Sequence, residues 1–209
     1  MQVNIDKKTG SLLGVIAFLL ILLGIFLFRD SDRDMGLPDM GSAMGNQSSS
    51  TSMNASEIMF VQQMIPHHEQ AVTMSDLALK NSSNKEVLAI AAQIKAAQSP
   101  EIAQMKSWLA AAGAENAMNH DMGGIGMAGM LSDSDITVLK STTGSAFDKL
   151  FLTAMIAHHE GAIQMAKMIE KSNISEIKTL HDAILKTQSA EITQMKSMLN
   201  SLKLAKIHQ

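Results

Sequence analysis

The 209-residue chain has no cysteine and no tyrosine, one tryptophan and three prolines. The missing cysteine removes two possibilities at once: a disulfide framework, and any thiolate acting as nucleophile or metal ligand. Charge of either sign is also scarce in surplus, with 17 Lys and Arg against 20 Asp and Glu. That balance supplies no basic patch for nucleic acid and no acidic tail. No Gly-x-Ser-x-Gly turn and no phosphate-binding loop appears either. What the chain has instead is methionine, 18 residues of it against six phenylalanines. Thioether is the only sulfur chemistry left.

One run is wholly apolar. Residues 12–28, LLGVIAFLLILLGIFLF, carry no charge. At about 1.5 Å per residue they would span about 25 Å as a helix, the short end of a membrane crossing. A cleaved signal peptide is the rival reading, but it would need a small-x-small cleavage site after the run. Arg29-Asp30-Ser31-Asp32-Arg33 follows directly instead. The expectation is a single-pass anchor in a bacterial inner membrane, with residues 1–11 cytoplasmic and everything after residue 28 in the periplasm or other extracytoplasmic space.

Beyond the anchor, residues 29–53 are rich in Gly, Ser, Asp and Met and read as a flexible tether. Residues 54–113 have helical periodicity broken near Asn81-Ser82-Ser83-Asn84. Asn54 and Glu57 are spaced for a capping box, and Gly113 for a helix stop. Residues 114–131 form a second Gly/Met-rich linker. In 132–203, a short helix is predicted over Ser132–Lys140. A long one follows from Ser145 with Asp148 to about Ser172-Asn173, and a last helix runs to about Lys203, leaving 204–209 as a tail.

The two helical stretches repeat one another. MIPHHEQAVTM (64–74) returns as MIAHHEGAIQM (155–165), and QSPEIAQMKSWL (98–109) as QSAEITQMKSML (188–199). Each copy is a helical hairpin that cannot bury its apolar face alone, so the two are expected to pair as an all-α four-helix bundle. Pro66 and Pro100 align with Ala157 and Ala190, which places both prolines within helices rather than at their ends.

At about 100° per residue, His68 and His67 fall about 40° and 60° to either side of Met64, on the apolar arc. Met74 lies near His67. The second copy places Met155, His158, His159 and Met165 in the same way. On the partner helices Gln98, Glu101 and Met105, and their repeats Gln188, Glu191 and Met195, also point inward. Methionine on a helix face is ordinarily gap-filling core, and a lone inward histidine is ordinarily just hydrogen-bonded. Four core histidines with two core glutamates are another matter, costly to bury unless paired or coordinating. The expected core ligands are the histidines and methionines. Glu101, Glu191, Gln98 and Gln188 are expected behind them, the glutamates accepting histidine N–H bonds to fix which ring nitrogen faces a metal.

The linkers sharpen the case. Met35, Met40, Met44 and Met53 lie in the first, and Met118, Met122, Met127 and Met130 in the second, with His120 among them. That is eight of the 17 methionines beyond the initiator, placed where there is no core to fill. Thioethers suit Cu(I) and, by the same softness, Ag(I). The stretch MNHDMGGIGMAGM resembles methionine-rich copper-shuttling segments. Di-iron bundles draw on Glu-x-x-His, and none of the nine glutamates has histidine three residues on.

The doubled pattern F-x-x-x-M-I-x-H-H-x-x-A-x-x-M followed by Q-x-x-E-I-x-x-M-x-x-[WM]-L resembles the domain of unknown function 305 family. The resemblance covers residues 54–203 and implies a ferritin-like helical bundle in the bacterial envelope or outside the cell. Members commonly open with an aspartate before the Phe, kept here as Asp148 before Phe151 and replaced by Glu57 before Phe60. The sequence thus describes a membrane-tethered binding protein for Cu(I) and Ag(I), not an enzyme. Two other classes stay open: a metal-dependent oxidoreductase and an envelope scaffold with a structural polar core. Passing the ion on would require a delivery or efflux partner, which no motif identifies.

Overall fold

The computed structural model describes residues 52–115 and 128–205. The apolar run 12–28, the tether up to residue 51, and Met118, His120, Met122 and Met127 lie outside them. No described helix is long and apolar enough to cross a membrane.

The described residues are helical, with no strand among them. Helix α1 is Ala55–Asn81 and α2 is Lys85–Ala111. The short α3, Asp133–Ser141, leads into α4, Gly144–Ala166. A last helical run comprises α5 (Ser175–Ala183), a π-helical turn (Ile184–Gln188) and α6 (Ser189–Ala205).

Local chemistry explains most of these boundaries. Asn54 caps α1 by accepting from Ser56 and Glu57 N–H, while the Glu57 carboxylate accepts the Asn54 N–H at 2.7 Å, closing the predicted capping box. Ser132 and Asp135 build a second box at the start of α3. Chain reversal after α2 uses Gly113 at φ 65°, a left-handed position that suits glycine. Pro66 and Pro100 lie inside α1 and α2, as their alignment with alanines requires.

Three expectations are corrected. Helix α4 starts at Gly144 after Thr143, which makes no side-chain cap, so Ser145 and Asp148 form no capping box. Asp148 is drawn inward because it accepts the Ser82 hydroxyl at 2.6 Å. The same helix stops at Ala166 and tightens into a 3-10 turn, Lys167–Ile169, short of Ser172. Nor is the second linker free throughout. Ala114 accepts from Gln62, and both the N–H and the C=O of Leu131 bond the Gln70 side chain, at 2.8 and 2.9 Å. Met53 and Leu131 each pack partly buried on a core cluster.

α1 packs on α2, α4 packs on α6, and α1 packs on α4, so two hairpins face each other. They run antiparallel, as a pair of matched latches shows. Ser82, just past the end of α1, holds Asp148 at the start of α4. Ser172, past the end of α4, holds Glu57 at the start of α1, at 2.5 Å. Each serine also accepts a backbone N–H two residues on, Asn84 in one case and Ile174 in the other. The acidic residue that opens each repeat thus fastens one hairpin to the other.

The apolar interior falls into two clusters. One contains Phe60, Met64, Met105, Met165 and Ile184; the other Phe151, Met155, Met195, Met74 and Ile94. Under the repeat the two sets exchange. Each takes the first buried methionine of one hairpin's histidine helix together with the last methionine of the other's. Between them every long helix contributes a polar stretch: His67 and His68, Gln98 and Glu101, His158 and His159, Gln188 and Glu191, all buried.

Candidate metal centre

Helices α1 and α4 cross at their histidine pairs. The rings of His67 and His158 lie with centroids 3.7 Å apart and planes tilted by 37°. His68 and His159 turn away from this contact towards the partner helices. His68 Nε2 donates to Glu101 Oε2 at 2.9 Å, and His159 Nε2 to Glu191 Oε2 at 2.8 Å. The expected histidine–glutamate pairing is therefore present in both hairpins, fully buried on the histidine side. An irregularity marks both glutamate helices just before the carboxylate. In α2 it is Pro100; in the last run it is the π turn at Ile184–Gln188. Single π turns within helices occur frequently at functional sites.

Ring nitrogens left over are the chemically informative atoms. His67 donates from Nε2 to the Ala128 carbonyl at 3.1 Å. A carbonyl can only accept, so the proton of neutral His67 sits on Nε2 and a lone pair on Nδ1. The Nδ1 atoms of His67, His68 and His159, and both ring nitrogens of His158, are buried with no hydrogen-bond partner among the described residues. Burial, followed by the positive potential of His68, pushes the His67 pKa down to about 4. Burial lowers His158 further, with His67, His159 and His68 adding to it. Both rings are thus uncharged at neutral pH, the state a metal ligand needs.

Thioethers flank this layer. Met64, Met105 and Met165 belong to one neighbouring cluster, Met74, Met155 and Met195 to the other; Met165 is 7% exposed and the rest are sealed. The repeat alone grouped Met64 with Met74 and Met155 with Met165. Antiparallel packing regroups them across hairpins, a swap that no single-helix projection contains. Among the described residues no three His, Asp or Glu side chains converge as a ready cation site. The soft donors are the methionines, which suit Cu(I) and Ag(I) where carboxylates do not.

Gln98 and Gln188 are buried beside the glutamates as expected, but among the described residues their amide oxygens have no partner and support no histidine. Sequence reasoning missed the strap at the end of the second linker. Ala128 caps His67, Leu131 is clasped by Gln70, and Gly129 lies against α4. A Cβ on Gly161 would sit 1.8 Å from the Ala128 oxygen, and one on Gly129 would sit 2.3 Å from the Ala157 oxygen. Glycine at both positions lets two backbones meet over the histidine pair. The signal available in the sequence was Gly161 standing where the first repeat has Gln70. Met130, of the predicted linker ligands, rides on this strap partly buried.

No curated protein matches the chain. A putative secreted protein from Streptomyces coelicolor is similar in structure, at TM-score 0.63 and 28% identity over 69% of this chain and 90% of that one. CopM in its Cu(I)-bound form gives TM-score 0.56 and 29% identity over 71% and 98% of the two chains. CopM in its Ag-bound form, obtained by soaking, gives 0.54 and 30% over 69% and 94%. The profile of the domain of unknown function DUF305 matches residues 57–199. With two thirds of its length under that match, the chain belongs to the DUF305 family.

Proposed function

We propose that this protein is a membrane-anchored, extracytoplasmic binder of Cu(I) and Ag(I), holding these ions or handing them on in copper homeostasis. Four buried imidazoles whose Nδ1 atoms have no hydrogen-bond partner among the described residues, in a layer between two thioether clusters, are the observation that carries this reading. Each ring except His158 is oriented from behind by an acceptor on Nε2, the arrangement that fixes a tautomer for metal ligation. The similar CopM structures, solved with Cu(I) and with Ag, support the same class of ion.

In this reading the bundle is ferritin-like in architecture but not an oxidase, since the donors are soft and Glu-x-x-His is missing. The run 12–28 holds the bundle at the periplasmic face of the inner membrane, and Met118, His120, Met122, Met127 and Met130 capture ions loosely before the core takes them. Nothing in this role requires turnover.

Native mass spectrometry of the detergent-solubilised chain, titrated separately with Cu(I), Ag(I), Zn(II) and Fe(II), tests the proposal. More than one Cu(I) or Ag(I) per chain, with Zn(II) clearly weaker, is expected. Preference for Zn(II) or Fe(II) would overturn it.

A further inference from the structure

The side of the polar layer away from the strap holds a different set of atoms. Glu101 and Glu191, from opposite hairpins, line one cavity of about 10 Å³ together with Gln98, Gln188 and Thr187. That is room for about one water-sized occupant. Both glutamines are only 3% exposed, and their buried amide oxygens have no hydrogen-bond partner among the described residues. Each carboxylate already receives one histidine N–H, and Glu191 also one from Gln93 at 3.3 Å. No sulfur, lysine or arginine lines the cavity.

Two carboxylates and two amide groups from two repeat-related helices, each with an oxygen to offer, therefore line one space whose lining side chains carry no donor other than the Thr187 hydroxyl and the two glutamine amide groups. A single water brings two hydrogens to this set. A small cation answers all four oxygens at once, and two carboxylates match a double charge. All-oxygen ligation of mixed carboxylate and amide type selects hard ions of the Mn²⁺, Mg²⁺ and Ca²⁺ class over soft ones.

We infer that this cavity is a second metal site of a different class from the thioether–imidazole layer. It takes one hard divalent cation, held by Glu101, Glu191, Gln98 and Gln188. The inference shares Glu101 and Glu191 with the soft-metal reading, where they stand behind His68 and His159, but it concerns another ion and its test leaves both glutamates in place.

The test is an Mn²⁺ titration of the full-length, metal-stripped protein, following loss of the free-ion EPR signal, with an Ag(I) titration on the same preparation. One Mn²⁺ per chain is expected. Gln98→Leu with Gln188→Leu should weaken Mn²⁺ binding at least 10-fold while helix content and Ag(I) binding persist. An undiminished free Mn²⁺ signal with the parent protein would show that the cavity holds water only, whatever the variants do. Mn²⁺ binding that survives the double substitution would place the ion elsewhere and overturn the assignment as well. Failure of the Ag(I) arm alone would count against the proposed function and leave this site standing.

Discussion

Residue His158 faces His67 across the hairpin interface, ring against ring, and neither of its buried nitrogens has a hydrogen-bond partner among the described residues. The ring adds little polar hold to the fold, and burial makes it resist protonation. Both facts have measurable outcomes.

The metal-free protein should lose stability on acidification. The folded-state pKa of His67 lies at about 4, below its ordinary 6.5, so between those values the unfolded chain binds more protons. Stability is then full above pH 6.5 and falls as pH drops towards 4, by about 3 kcal/mol for His67 alone. His158, shifted the same way, extends the loss lower still. Chemical denaturation at several pH values checks this. His158→Leu should flatten the profile without lowering stability at pH 7 by more than about 1.5 kcal/mol, within the range of volume-tolerated core changes. A pH-independent parent would mean the rings are not sealed from water.

Glu101→Gln and Glu191→Gln should each weaken Ag(I) or Cu(I) binding by about 10–100-fold, the usual penalty for removing the acceptor behind a ligating histidine. Competition against a chromophoric chelator measures it. Parent-like affinity would leave the glutamates a purely structural role. Complete loss in a folded protein would make them direct ligands.

The two latches differ in how much their carboxylates have to fall back on. Glu57 also accepts the Asn54 N–H, whereas the hydroxyl of Ser82 is the one hydrogen-bond donor to buried Asp148 among the described residues. Ser82→Ala should therefore cost more stability than Ser172→Ala, on the order of 1–3 kcal/mol for an acceptor left unpaired. Equal losses in thermal melts would deny the asymmetry.

Gly161→Ala sets a methyl group against the Ala128 carbonyl, so the strap must lift. Limited proteolysis should then cut near residues 128–131 in the variant before the parent is touched. Ag(I) should also reach the core faster in stopped-flow mixing. If cleavage is unchanged, the strap accommodates the methyl without opening.

Much of this was legible in the sequence, for physical reasons that can be named. Phe60, Met64, His67 and Met74 recur at one fixed spacing in Phe151, Met155, His158 and Met165, and periodicity records which residues face inward. Asn54 with Glu57 is a local signal, since both partners of the capping box lie within one turn. The histidine–glutamate pairing followed because both types had to be buried and each needed the other. What escaped was everything set by the crossing of two helices far apart in the chain. The regrouping of Met64 with Met165 depends on α1 and α4 running antiparallel. The inward turn of Asp148 depends on Ser82, and the strap depends on Gly161 and Gly129 meeting. No periodicity carries such information. The tether up to residue 51, the apolar run 12–28, Met118, His120, Met122 and Met127 lie outside the described residues.

The exchange of methionines between hairpins has an implication for how such a chain can change. Two copies related by an approximate two-fold meet through the same patch, as in an isologous dimer, but here they are fused. Fusion makes their docking intramolecular and independent of protein concentration. It also frees the halves from identity, because a substitution in one is no longer repeated in the other. Gln70 and Gly161 show the result: one repeat-equivalent position clasps the strap and the other makes room for it. An identical pair could not have laid one asymmetric strap across the contact between His67 and His158. That asymmetry across the two-fold is what joining the two halves permits.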